Sequence, residues 1–275
     1  MKRSFVRDRW LALGAVVLLT LAGCGGTSPH EADRDSGDPR GEITVLAAAS
    51  LTGTFTELGG RYEKAHPGTR VKFSFGASST LARQIGEGAP ADVFAAASQA
   101  TMATVTKAGN AVGDPTVFTS NQLEIAVPKG NPGKVTGLAD FAKPSLRIAL
   151  CAVAVPCGAA AVTALKAAGV TPRPDTYEQD VKAALAKVSS GEVDAALVYR
   201  TDVLAANAAA NANAGRSSTG QVEGIEFPES AKAVNTYPIV VLKSATNAPL
   251  ARAFLSYVLS SEGQKVLVDA GFGAR

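Results

Sequence analysis

Residues 47–55 read "AAASLTGTF" and follow directly on the strand-like run "EITVL" at 42–46. After the alanines, Leu51, Phe55, Leu58 and Tyr62 recur at helical spacing, so a strand passes almost without a loop into a helix. The same handover returns at "FGASSTLA" (75–82), "VPCGAAA" (155–161) and "QDVKAAL" (179–185). Each helix opens on small or polar residues. Strands alternating with helices in this way predict an α/β chain with largely parallel sheets.

Working outward, "VKFSFG", "ADVFAAA", "QLEIAVPKG", "LRIALC", "DAALVY" and "TYPIVVLK" read as further strands. Residues 98–121 are less regular, and 204–215 form an Ala/Asn-rich stretch expected as a surface helix and loop. The tail at 247–272 carries two apolar helical patterns joined at 261–263. No internal repeat is visible.

The first residues belong to export rather than to the fold. "MKRSFVRDRW" supplies a basic n-region and "LALGAVVLLTLAGC" an apolar h-region, shorter than the roughly 20 residues a spanning helix needs. Its ending, "LAGC", resembles the lipobox of bacterial lipoproteins, which predicts a signal peptide over 1–23 and lipid attachment at Cys24; the plainer reading is an ordinary signal peptide with a chance cysteine. Residues 25–41, "GGTSPHEADRDSGDPRG", lack apolar periodicity and read as a flexible tether spanning roughly 20–25 Å. The net charge of +3 resides in the signal, where Lys2, Arg3, Arg7 and Arg9 outweigh Asp8. The remainder is neutral and has no basic run, so it carries no electrostatic footprint for nucleic acid.

Catalytic inventories are thin. Beyond the signal only His30, in the tether, and His66, in the turn-like "KAHPGT", offer an imidazole. No nucleophile has a histidine beside it in the sequence pattern, and His66 reads as a solvated turn residue. Metal-ligand spacings, G-x-G-x-x-G and Walker sequences are absent. Cys151 and Cys157 stand six apart in an exported chain, consistent with a disulfide closing "CAVAVPC" or with two small buried thiols.

What the pattern does offer is repeated helix starts. The first amides of a helix have no intrahelical acceptor and that end is mildly positive, so several starts meeting at one point make an anion site without lysine or arginine. Taken singly, each start reads equally well as ordinary N-capping.

Together, "TVLAAASLTGTF", "FGASSTLARQIGEGAPADVFAAAS", "VPCG", "DVKAALAKVSSGEVDAALVY" and "YPIVVL" resemble the molybdate-binding proteins of bacterial ABC importers, in order from about residue 42 to the C-terminus. The resemblance implies a type II periplasmic-binding-protein fold, two α/β lobes with the ligand in the cleft. Lobe 1 would comprise 42–122 and 236–275, lobe 2 would comprise 123–235, and the crossings would fall near 122–128 and 236–241. It implies an oxyanion held by Ser50, Ser78, Cys157, Val181 and Tyr199 through hydroxyls and backbone amides, with no direct protein–metal bond and no cofactor. Cys157 stands where alanine is usual in the family. The expected protein is a monomeric, lipid-anchored extracytoplasmic receptor that hands molybdate or tungstate to a membrane permease. The alternatives are a receptor for another oxyanion such as sulfate, or an enzyme on the same scaffold using Cys157.

Overall fold

The computed structural model describes residues 39–212 and 221–275; the signal sequence, Cys24, His30 and all but the last three residues of the tether lie outside the described residues. Strand β1 (Gly41–Ala48) runs through a 3-10 turn at Ala49–Leu51 into α1 (Thr52–Ala65). Next come β2 (Thr69–Gly76), α2 (Ser78–Gly86), β3 (Val93–Ala95), α3 (Gln99–Lys107) and β4 (Ala111–Asn121). The middle of the chain forms β5 (Leu123–Pro128), β6 (Ile148–Cys151), α4 (Pro156–Ala167), β7 (Thr176–Glu178), α5 (Val181–Ser189), β8 (Ala195–Tyr199), α6 (Arg200–Ala212) and β9 (Val222–Ile225). Strand β10 (Asn235–Leu242) and helices α7 (Ala248–Leu259) and α8 (Ser261–Asp269) complete it.

Two five-stranded sheets result, ordered β2-β1-β3-β10-β4 and β7-β6-β8-β5-β9. The chain leaves the first sheet at Gln122 and returns between Ile225 and Asn235, so β5 and β10 each lie wholly within one sheet rather than forming the crossings. The second crossing therefore falls earlier than 236–241.

The expectation of largely parallel sheets needs correction. β1 pairs parallel with β2 and β3, and β6 with β7 and β8, but β5 and β10 run antiparallel to both of their neighbours. These are the strands that adjoin the crossings, where the chain enters a sheet from the other lobe instead of through a βαβ turn.

Period-two alternation builds the first core. Ile43, Val45 and Ala47 of β1 face one layer with Phe55 and Leu58 of α1 and Phe254 of α7, while Leu46 faces the other with Leu81, Ile85 and Met102. The second sheet packs its cluster under α4 and α5 through Ala161, Ala164, Ala184 and Val188. Ala49 and Ala77, which precede α1 and α2, belong to this second cluster, so the two lobes are in contact at their helix starts.

The stretch expected to be irregular holds α3 and β4. Helix α3 buries only Met102 and Val105 and is otherwise rich in poor helix formers. Strand β4 contains Gly113 and Pro115, and it sits at the sheet edge, where such residues are tolerated.

Candidate functional site

Each of the four strand-to-helix handovers supplies part of one small cavity between the lobes. Its wall comprises Ala48, Ala49 and Ser50, then Gly76, Ala77 and Ser78 with Ala97, then Val155, Pro156 and Cys157, and finally Asp180, Val181 and Tyr199. Its volume, measured as room for the centre of a water-sized sphere, is about 20 Å³. This is space for one compact ion and too little for a sugar or a peptide.

The starts at Ala49, Ser78 and Pro156 have no side-chain cap; of the four, only α5 is capped, by Asp180, whose Oδ1 accepts the Ala183 N–H at 2.9 Å. The first-turn amides of the uncapped helices have no intrahelical acceptor, and the residues at these starts form the cavity wall. Small side chains let an ion approach them. No lysine or arginine lines the wall, and its one carboxylate, Asp180, is engaged in the cap.

The five residues named from the sequence all border this cavity, and they do so differently. Ser50 does not cap its helix: its Oγ lies 2.9 Å from the Tyr237 hydroxyl. Ser78 Oγ accepts the Ala97 N–H at 3.0 Å, which leaves its own proton to be given elsewhere. Cys157 and Val181 lie in the first turns of α4 and α5 and present backbone rather than chemistry of their own. Tyr199 is 1% exposed, and its hydroxyl has no hydrogen-bond partner. Burial pushes both the Tyr199 and the Tyr237 phenol well above their ordinary values, so both stay protonated.

The loop before α4 is closed by a bond between the Sγ atoms of Cys151 and Cys157, whose Cα atoms are 5.8 Å apart. Gly158 follows because nothing larger fits: a Cβ there would come within 1.9 Å of the Ala152 carbonyl oxygen.

Sequence reasoning missed the layer behind the wall. Asn235 Nδ2 donates to the Ala97 carbonyl at 2.7 Å, holding from the far side the residue whose N–H binds Ser78. Asp202, with no exposed surface, accepts the Tyr199 N–H and faces Lys182 Nζ at 2.8 Å. Tyr237 lies within the quoted "YPIVVL", but its contact with a serine 187 positions away leaves no local signal. Among the described residues no group of three His, Cys, Asp or Glu side chains is placed to hold a metal ion.

The model of a family described as bacterial extracellular solute-binding protein matches residues 43–273. The molybdate-binding protein of Mycobacterium tuberculosis H37Rv is 38% identical over 269 residues, covering 96% of this chain and 98% of that protein. Among solved structures, the periplasmic molybdate-binding protein of Azotobacter vinelandii superposes with a TM-score of 0.69 at 22% identity, over 85% of this chain and 99% of that one. The sulfate-binding protein SubI of M. tuberculosis superposes with a TM-score of 0.70 at 18% identity, over 84% of this chain and 86% of that one. The fold is thus the two-lobed type II periplasmic-binding-protein fold, and receptors named for different anions share it.

Proposed function

This chain belongs to the bacterial extracellular solute-binding protein family, and we propose that it captures molybdate and tungstate outside the cytoplasm and delivers them to an ABC-type permease. It carries its ligand rather than converting it. The relative at 38% identity, matched along nearly its full length, supports molybdate as the cargo.

The observation that carries the reading is the Tyr199 hydroxyl, buried without a partner on the wall of a cavity where four helix starts meet. An unpaired buried hydroxyl costs about 1–3 kcal/mol, and a bound oxyanion removes that cost. Ser50, Ser78 and Tyr199 give hydroxyl protons, and Cys157 and Val181 give amide protons. A tetrahedral dianion offers only acceptors, so it matches a wall made of donors, each charge-assisted bond contributing about 1.5–3 kcal/mol. Protonated phosphate brings a proton that these hydroxyls and amides, all spending their donors on the ion, do not receive. Size separates sulfate from the larger metal oxyanions.

In the same reading the protein is a monomer of two lobes, 42–122 with 236–275 and 123–235, that close over the ion. It is held to the outer face of the cell membrane by a lipid on Cys24, with residues 24–41 as its tether.

A thermal-shift panel on the full chain with molybdate, tungstate, sulfate and phosphate tests the proposal. Molybdate and tungstate at a hundred times their Kd are expected to add about 2.7 kcal/mol of stability, and phosphate none. Equal stabilisation by sulfate would make the protein a general dianion receptor.

A further inference from the structure

The Ser50–Tyr237 contact bears on selectivity. Tyr237, on β10, has no exposed surface, and its ring is wedged edge-on against Phe118, Tyr199 and Phe272 at centroid distances of 6.3, 6.2 and 5.6 Å. It does not line the cavity. Its hydroxyl lies 2.9 Å from Ser50 Oγ, and either oxygen can be the donor.

With an oxyanion in the cavity, counting protons decides between the two directions. The phenol is protonated, because burial raises its ionisation, and its proton needs an acceptor. The nearby Asn121 has hydrogen-bond partners elsewhere: its Oδ1 receives the Gln122 N–H at 3.0 Å, and its Nδ2 donates to Thr201. Ser50 Oγ remains. If Tyr237 donates to Ser50, the Ser50 proton goes to the ion and every proton is used. If Ser50 donates to Tyr237, the phenol proton is stranded and the ion faces a lone pair.

We infer that Tyr237 is a positioning residue that turns the Ser50 hydroxyl into an obligate donor and thereby excludes protonated oxyanions from the site. Ser78 is held in the same sense by the Ala97 N–H. Tyr199, whose hydroxyl makes no hydrogen bond within the protein, has its proton free for the ion. Removing the Tyr237 hydroxyl frees Ser50 to turn and accept the proton of hydrogen phosphate. This inference rests on the oxyanion reading above.

The test titrates the full chain and its Tyr237→Phe variant with molybdate and with inorganic phosphate above its second ionisation. The variant keeps the packed ring, so its molybdate affinity is expected to fall by no more than about tenfold, while the phosphate-to-molybdate ratio of Kd values narrows by about tenfold. Adding Ser50→Ala to that variant should abolish the gain in phosphate binding, because the gained acceptor is gone. An unchanged ratio overturns the role of Tyr237, whereas a wild-type chain that ignores molybdate overturns the function itself. Should Tyr237→Phe not fold, neutron diffraction of the deuterated wild-type molybdate complex decides. A deuteron on Tyr237 directed at Ser50 Oγ supports the inference, and one on Ser50 directed at Tyr237 refutes it.

Discussion

The Lys182 ammonium lies 2.8 Å from Oδ1 of Asp202, a carboxylate with no exposed surface whose other oxygen accepts the Tyr199 N–H. The pair ties the first turn of α5 to the first turn of α6, whose Asp202 also takes the last amide of β8, so Val181 and Tyr199 are held in register on the cavity wall. Burial outweighs Lys182 and keeps the Asp202 carboxyl above the usual aspartate range. An acid with a raised native pKa binds more protons folded than unfolded. Its contribution to stability therefore falls as pH climbs from the ordinary value of about 3.9 to the raised native one. Asp202→Asn should flatten that part of the profile, read by chemical denaturation at stepped pH. A profile identical to wild type would mean that the carboxyl titrates normally.

Tyr199→Phe should separate binding from stability. Losing a donor to the ion is expected to weaken molybdate binding by about 1–3 kcal/mol, while the ligand-free protein, relieved of an unpaired buried hydroxyl, keeps or gains stability. Ser50→Ala should weaken binding similarly but destabilise the ligand-free protein, since it strands the Tyr237 hydroxyl. Calorimetry and urea denaturation on both variants read the two effects. Unchanged affinity in both would remove these hydroxyls from the site.

The loop before α4 offers a third test. Reducing the Cys151–Cys157 bond opens a short loop and should cost about 2 kcal/mol in the chain-entropy account. It should also weaken molybdate binding, because Cys157 stands in the wall. Equal affinities with and without reductant would leave the bond a purely structural role. Gly158→Ala should be more disruptive: its Cβ meets backbone, not a movable side chain, so the loop must shift at about 1–3 kcal/mol or more.

Much of this was legible along the chain because it is local. The handovers at Ser50, Ser78, Cys157 and Val181 are written in consecutive residues, as is the apolar spacing of Leu51, Phe55, Leu58 and Tyr62. Strand β4 was hidden by Gly113 and Pro115, which its edge position tolerates, and the antiparallel strands by a direction that no local pattern encodes. Tyr237, Asn235 and Asp202 escaped for another reason. Each acts through a partner fixed by tertiary packing, and an isolated tyrosine or asparagine in a strand reads the same whether its polar end is partnered or not. Ser50 illustrates the boundary: its place at a helix start was readable, but the choice between cap and donor required the position of Tyr237.

The central claim is that this wall of donors selects a large tetrahedral dianion. Isothermal titration of the full chain with molybdate, repeated in the presence of saturating sulfate, tests it most directly. The account predicts one molybdate per chain, bound at least about a hundredfold more tightly than sulfate, a difference of about 2.7 kcal/mol. Sulfate binding as tight as molybdate, or no molybdate binding at all, would contradict it.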